Sequence, residues 1–423
     1  MEVTRDTAQS GSGGLTALAA SLASRLADDN VDNNLVFSPL SIYAALVLLA
    51  AGVWGATLDE ILGVLIVPSH AALDEFLSHV VEDVLEDPYR RAATSTYKAD
   101  ASTVDFCNNP EAAWGQINVW VAQVTRKLIG SVLGPGSITP LTRAMLSNAM
   151  YFKGKWEKPF RKKRTADKLF HQLNGRAMDV PFMQSRSSQF IAVHEGFKVL
   201  KLRYQMAQAQ EAWLAWRSHE WREAVEFHTK VLGRHFADGL LGPSSCAVCL
   251  GGSQQALALR ELGRTNIFLP DAFNGLPGLV DAIASQPGFL HKHLPKEKIH
   301  VRGFRVPKFK LSFHRSMVSI IKKLGLRLPF SDQADLSGMV EGDESGLPLV
   351  LSDIIHKAVI EVNEEGTEAA VVTLMDMEIG CSRIPPPPPR VDFVADHPFA
   401  YFIVEEATDA VVFVGHVLDP SAI

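Results

Sequence analysis

Residues 361–373 read EVNEEGTEAAVVT, and this stretch decides the fold. Side chains alternate across a strand. One face of the segment that follows Gly366 is small or apolar, and the other carries all three charges. The two sets are Thr367, Ala369, Val371, Thr373, Met375 and Met377 on one face, and Glu368, Ala370, Val372, Leu374, Asp376 and Glu378 on the other. This alternation predicts a half-buried strand, placed where a loop is expected. An ordinary edge strand is the alternative on the pattern alone.

Strand-like segments flank this stretch. Residues 350–363 precede it, and the runs DFVADHPFAYFIVEE (392–406) and VVFVGHVLDP (411–420) follow it. Further strands are predicted at 145–156, at 198–202 and within 299–313. Helices are predicted at 15–29, at 40–51, over 57–86 as one or two helices, and at 110–130. Because helices and strands do not alternate regularly, the sequence predicts an α+β fold and not a parallel nucleotide-binding sheet.

Composition limits the classes of function. The chain has 423 residues, of which 47% are hydrophobic, so it can bury a large core. The net charge of −6 gives no indication of nucleic-acid binding. Four scattered cysteines are too few for a disulfide framework. The segment MEVTRDTAQSGSGG lacks the apolar core of a signal peptide, so we expect an intracellular protein, in the cytosol or also in the nucleus.

One segment has the length of a membrane span. Residues 35–58 carry no charge, and a span needs about 20 apolar residues. Polar residues, proline and glycine interrupt it at Ser38, Pro39, Ser41, Gly52 and Gly55, so its strongly apolar part is too short. We therefore expect a buried core helix that begins near Ser38, and no membrane association.

Six motifs, in order along the chain, resemble the serpin family. They are FSPLSIYAAL (37–46), SNAMYFKGKWEKPF (147–160), VPKFKLSF (306–313), DLSGM (335–339), HKAVIEVNEEGTEAA (356–370) and DFVADHPF (392–399). The sequence VADHPFAYFIVEE (394–406) is most similar to the corresponding segment of plant serpins. The resemblance implies a single serpin domain over 1–423, with three β-sheets and eight or nine helices. It also implies an exposed reactive-centre loop at 364–390.

Two regions depart from the family pattern. After the helix that ends near residue 86, DPYRRAATS leads almost directly to TYKADASTVDF, and a central-sheet strand is missing. We expect that loss to leave a gap beside the strand at 145–156. The second departure is an insertion at 205–264, helical in its first half and a Gly/Ser/Cys-rich loop in its second. Retained intron sequence and a genuine extra helix both stay open as its origin.

The resemblance implies inhibition of serine or cysteine endopeptidases. A protease attacks the loop, and the cut loop inserts into the central sheet as a strand. Counting from Gly366 places the reactive bond at Gly380–Cys381, and Arg383–Ile384 is the alternative. The residues that match the family hinge are Glu364, Glu365, Gly366, Thr367, Glu368, Ala369 and Ala370. The five prolines at 385–389 predict a stiff polyproline II segment behind the bond.

A second set of residues matches the serpin shutter, the hydrogen-bonded region that controls opening of the central sheet. It consists of Ser38, Ser41, Asn148 and His356. A buried histidine without a special role is the alternative for His356. The run Arg161–Arg164 has the composition of a nuclear import signal, although a solvated loop is the commoner explanation.

The sequence gives no indication of an enzyme. It has no Gly-x-Ser-x-Gly elbow, P-loop or His-Glu-x-x-His motif. Cys246 and Cys249 have metal-ligand spacing but lack a second pair, so we expect no metal and no cofactor. The expected partner is a target protease that binds a monomer, without nucleic acid or membrane. The alternative function is a non-inhibitory serpin-like protein, either a binding partner or a defective gene product.

Overall fold

The computed structural model describes most of the chain. The described residues are 3–50, 52–66, 100–106, 108–124, 127, 129–140, 142, 144–151, 154–205, 248–251, 263–286, 288–339, 349–366, 391–405 and 411–422. The helices in them are α1 Val3–Asp28, α2 Pro39–Ala50, α3 Gly55–Leu65, α4 Pro110–Val124, α5 Leu276–Ser285, α6 Phe289–Lys292 and α7 Val318–Lys323. Short 3₁₀ turns lie at Lys162–Arg164, Leu328–Phe330 and Ser337–Met339.

The strands form three sheets. The first eight are β1 Leu35–Phe37, β2 Asp100–Thr103, β3 Ala144–Tyr151, β4 Ala166–His171, β5 Ala177–Gln184, β6 Gln189–His194, β7 Phe197–Arg203 and β8 Val248–Gly251. The others are β9 Gly263–Pro270, β10 Lys298–Ile299, β11 Val301–Pro307, β12 Phe309–Ser316, β13 Leu351–Val362, β14 Val391–Val394, β15 Phe399–Glu405 and β16 Val411–Val417. The sheet orders are β1-β16-β15-β9-β7-β6-β10, β14-β11-β5-β4 and β12-β13-β3-β8-β2. Three sheets and mixed α and β structure confirm the predicted fold class.

The apolar runs of the sequence make the main core. Every residue of β9 and of β16 is buried, as expected for strands covered on both faces. Helix α2 is buried along most of its length, and it contacts α1, α3, β16 and β3. Most of the described residues of the charge-free stretch 35–58 therefore lie in the core, although Ala44 and residues 54–56 are exposed. No helix in the described part of the chain is long and apolar enough to cross a membrane.

The central five-stranded sheet is built around two parallel strands. β13 pairs with β3 from Leu351↔Ala144 to Val359↔Tyr151, and β12 pairs antiparallel with the other edge of β13. Strand β13 leads directly into the predicted hinge. The far end of the predicted loop enters a different sheet, because β14 pairs with β11 in the four-stranded sheet. The two ends of residues 367–390, which lie outside the described residues, are thus attached to separate sheets.

The structure contradicts the prediction of an open gap beside β3. Strand β8, from the insertion, lies between β3 and β2. It runs parallel to β3, from Ala144↔Val248 to Ser147↔Gly251, and antiparallel to β2. The prediction of a loop for this half of the insertion is therefore wrong at Val248–Gly251. A strand edge exposes unpaired backbone groups, and a strand from elsewhere in the chain can satisfy them.

The replacement strand is short. β8 has four residues and β3 has eight, so β8 covers only Ala144–Ser147. On that side of β3, residues 148–151 have no strand partner among the described residues. Among the described residues, the insertion supplies a neighbour for Ala144–Ser147 of β3.

The role of β8 can be tested with a backbone substitution. Proline has no N–H to donate, so in the middle of a sheet it removes a ladder hydrogen bond. We expect Leu250→Pro to remove the amide exchange protection of Ala144–Ser147 and Asp100–Thr103 and to lower the melting temperature by several degrees. Hydrogen–deuterium exchange with mass spectrometry measures both segments. The control Leu250→Val keeps the N–H and should preserve protection. Equal protection in the proline variant would show that β8 does not support the sheet.

Candidate functional site

The predicted hinge begins in a tight turn after β13. The N–H of Asn363 donates to the carbonyl oxygen of Gly366 at 2.9 Å, and the reverse bond is 3.3 Å. The side-chain oxygen of Asn363 also accepts from the N–H of Glu365 at 3.0 Å. Gly366 has φ of 136°, and a Cβ there would lie 2.1 Å from the carbonyl oxygen of Gly154. Only glycine fits this position, both by backbone conformation and by space.

A neighbouring segment, Lys155–Thr165, holds this turn through its backbone. The N–H of Trp156 donates to the carbonyl oxygen of Glu365 at 3.0 Å, and the N–H of Phe160 donates to that of Glu364 at 2.7 Å. The indole N–H of Trp156 donates to the carbonyl oxygen of Asn363 at 2.9 Å. Lys155 forms a β-bridge with Gly366. The start of the loop is therefore fixed to the body at four consecutive residues.

The two glutamates of the turn have separate cationic partners. Glu364 is buried, accepts a 2.8 Å hydrogen bond from the Thr165 hydroxyl and lies 3.0 Å from Lys308 Nζ. Burial raises the pKa of Glu364, but the hydrogen bonds and the charge of Lys308 outweigh it and lower the pKa below its ordinary value. Glu365 lies 2.6 Å from Lys162 Nζ, and this contact raises the pKa of Lys162. Glu364 is thus an ionised anchor of the turn, and Glu365 joins the turn to Lys162.

Three of the residues predicted for the shutter, Ser38, Ser41 and His356, are buried. The backbone N–H of Ser38 donates to Nε2 of His356 at 3.1 Å, and both residues are fully buried. Ser38 also begins α2, because its hydroxyl accepts the N–H of Ser41 at 3.2 Å. His356 therefore connects β13 to the first turn of α2. In the sheet, His356 is the register partner of Asn148 on β3.

The environment of His356 favours its neutral form. Nε2 accepts a hydrogen bond, so the proton of the neutral ring lies on Nδ1, which has no hydrogen-bond partner in the described part of the chain. Burial, helped by the charge of His314, lowers the pKa of His356 to about 3. Protonation would place a charge in the core and remove the acceptor used by Ser38.

Sequence reasoning found part of this arrangement. The structure brings Ser38, Ser41 and His356 together, and it places Glu364, Glu365 and Gly366 at the end of β13. The other predicted residues, Thr367, Glu368, Ala369, Ala370, Gly380, Cys381, Arg383 and Ile384, lie outside the described residues.

Sequence reasoning missed the partners of the two glutamates. Lys162 was part of the basic run, Lys308 lay inside the motif VPKFKLSF, and Thr165 carried no signal. All three are distant in sequence from the turn, and a single sequence gives no contact information between distant segments. Among the described residues no group of three or more His, Cys, Asp or Glu side chains is arranged to hold a metal ion.

The pKa of His356 predicts how stability depends on pH. The unfolded chain binds a proton near the ordinary value of about 6.5, and the folded chain does not until about pH 3, so stability is lost as pH falls below about 6.5. The slope from this residue is about 1.4 kcal/mol per pH unit. We expect His356→Gln to remove this slope. When the pH is lowered from 6.5 to 5, the free energy of unfolding of the wild type should therefore fall by about 2 kcal/mol more than that of the variant.

Urea unfolding of the native state at several pH values measures this difference. His416, whose pKa burial also lowers, is present in both proteins, so its contribution cancels. Parallel pH profiles for the wild type and the variant would contradict a neutral, buried His356.

Comparison with known proteins places the chain among the serpins. The family model described as "Serpin (serine protease inhibitor)" matches residues 14–87, 82–214 and 257–420. The rice (Oryza sativa subsp. japonica) protein named "Putative serpin-Z8" is 47% identical over 97% of this chain and 96% of its own length. Rice Serpin-Z2A is 40% identical over 97% of each chain.

Comparison with a solved structure also places the chain among the serpins. Arabidopsis AtSerpin1, in a conformation described as native stressed, aligns with a TM-score of 0.73 and 31% identity. The alignment covers 98% of this chain and 99% of that one. The turn at Gly366 and the contact between Ser38 and His356 therefore lie within a serpin fold. The chain belongs to the serpin family of protease inhibitors and is similar to the serpins of plants.

Proposed function

We propose that this serpin inhibits serine or cysteine endopeptidases irreversibly, as a suicide substrate. The position of the hinge turn is the observation that best supports this function. Gly366 ends the turn that follows β13, one of the two parallel strands at the centre of the five-stranded sheet, whereas Val391 begins β14 in another sheet. A cut between these attachment points separates the two ends of the loop. The part that stays on β13 can then turn back and enter between β13 and β3.

Insertion is favourable because it adds a strand to the sheet. The pairing of β13 with β3 is given up, and the inserted strand pairs with both. The alternation after Gly366 would turn Thr367, Ala369 and Val371 toward the core, where burial of an apolar face adds to the gain. A protease bound to the cut loop as an acyl-enzyme is carried along, so the energy comes from the inhibitor's own fold.

The shutter contact would oppose premature opening. A movement of β13 away from β3 would shift it relative to α2, and His356 is hydrogen-bonded to the first turn of that helix. A hydrogen bond of this kind contributes about 1 kcal/mol. We propose that Ser38, Ser41, Asn148 and His356 together keep the sheet closed until cleavage. Asn148 is included because it is the register partner of His356 on β3.

The reactive bond is proposed at Gly380–Cys381, and Arg383–Ile384 is retained as the alternative. The first bond lies at the family's distance from Gly366, and the second offers an arginine to a trypsin-like pocket. The prolines at 385–389 would hold the far side of the loop away from the body, because a polyproline segment is stiff.

A non-inhibitory serpin is the second candidate function. The observation that favours it is the short strand β8, which covers half of β3 where the family pattern has a full strand. A sheet with weak support beside β3 can accept the cut loop too slowly to trap the enzyme. Such a protein would be cleaved as an ordinary substrate.

Substitution at the first inserted position separates the two functions. A charge on the inward face must be desolvated during insertion, which costs several kcal/mol. We expect Thr367→Arg to convert the inhibitor into a substrate, with loss of the denaturant-stable complex on gels and normal loop cleavage. The matched control Glu368→Arg lies on the outward face and should keep the complex.

The assay uses trypsin-like and papain-like proteases, and the mass of the released C-terminal peptide identifies the cut bond. Complexes of equal yield in both variants would contradict strand insertion. Cleavage without a complex in the wild type would support the non-inhibitory alternative.

A further inference from the structure

The segment that holds the hinge turn also carries a concentration of positive charge. Between residues 155 and 164, five basic side chains form no salt bridge within the part of the chain that the structure describes: Lys155, Lys158, Arg161, Lys163 and Arg164. The sixth, Lys162, is held by Glu365. Four of the five are exposed, and Arg164 is partly buried. We call these five residues the basic surface. It stands out in a chain whose net charge is −6.

The basic surface is fixed in position. Trp156 stacks on Tyr204, with 4.5 Å between ring centroids, and Phe160 stacks on Phe304 at 5.8 Å. The backbone between these two aromatic anchors is bonded to the hinge turn. The cations therefore keep a constant place relative to the start of the reactive-centre loop.

Further cations lie beside the basic surface on the seven-stranded sheet. Lys201, Arg203 and Lys298 all lie 4.7–4.9 Å from the centroid of the Phe190 ring. The N–H of Glu157 donates to the carbonyl oxygen of Arg203 at 2.8 Å, which joins this group to the basic surface. An aromatic ring attracts cations to its face, so the ring keeps these charges close together.

We propose that the basic surface is a docking surface for an acidic surface on the target protease. This inference rests on the proposed function, since it adds a second contact for the same partner. A protease that attacks the loop must approach the part of the molecule from which the loop starts, and the basic surface lies there. Complementary charge raises the rate of encounter by roughly 10- to 1,000-fold and loses its effect as salt is added.

The location favours a protein partner over a free polyanion. The cations are not arranged in a row along a helix. They lie on the segment that is hydrogen-bonded to the base of the loop, where the rim of the protease's active-site cleft would come to lie. A protease with an acidic rim would be bound faster, so the surface would select among enzymes that cleave the same bond.

The test measures docking apart from inhibition. Anionic and cationic isoforms of trypsin, each inactivated by replacement of the nucleophilic serine with alanine, report encounter without cleavage. The variant combines Lys158→Gln, Arg161→Gln and Lys163→Gln, none of which contributes a side chain to the hinge turn or the shutter. At low salt we expect it to associate about tenfold more slowly than the wild type with anionic trypsin. The difference should disappear near 0.5 M salt, where the Debye length is about 4 Å.

The control variant removes three cations elsewhere: Lys322→Gln, Lys323→Gln and Arg327→Gln. These residues lie in and after α7, which is joined to the beginning of β13 through a 2.7 Å bond from the N–H of Met317 to Ile354, far from the hinge turn. The control should associate like the wild type. Equal slowing in both variants would show a net-charge effect and overturn the proposal, as would equal rates of the wild type with both trypsins.

Two further outcomes separate the alternatives. If the first variant loses retention on a sulfated polysaccharide column but keeps the wild-type rate with anionic trypsin, the surface serves a polyanion and protease docking is wrong. If active trypsin cleaves the loop without forming a stable complex while salt-dependent docking persists, the proposed inhibition fails and the docking surface stands.

Discussion

The parallel pairing of β13 with β3 is the interaction on which the rest of the molecule depends. It holds the five-stranded sheet together from Ala144 to Tyr151, and it occupies the place that an inserted strand would take. Under the proposed mechanism, the same contact that supports the fold would also be the point at which the sheet opens. The surrounding elements fit both roles, because β12 pairs with the outer edge of β13, α2 contacts β3, and the hinge turn begins where β13 ends.

Electrostatics in this region separates into two layers. In the inner layer each glutamate has a cationic partner, because Glu364 lies beside Lys308 and Thr165 while Glu365 lies beside Lys162. The outer layer is unmatched, because the other cations of the same segment form no salt bridge among the described residues. One short stretch of chain thus anchors the loop with its backbone and with the side chains of Trp156, Lys162 and Thr165, and its other cations present charge outward.

Local sequence predicted the elements that depend on local chemistry. The charge-free run indicated the buried helix α2, the motif match placed Gly366 in the predicted hinge after a strand-like segment, and Ser38 predicted a helix start. Strand β8 was not predicted, because four residues are too few for a periodic signal and the surrounding glycines and cysteines resemble a loop. Its pairing is decided by the empty edge of β3, which is distant in sequence.

The source of β8 has a consequence for how the chain folds as it leaves the ribosome. A strand supplied before β3 would be available when β3 is made, but β8 is made roughly a hundred residues later. Until then, the edges of β3 and β2 with which β8 will pair remain open to pairing with other chains. Contacts between such distant segments also slow folding, because a long loop must close before they form. Newly made chains should therefore depend on chaperones for longer than those of serpins with the uninterrupted family pattern.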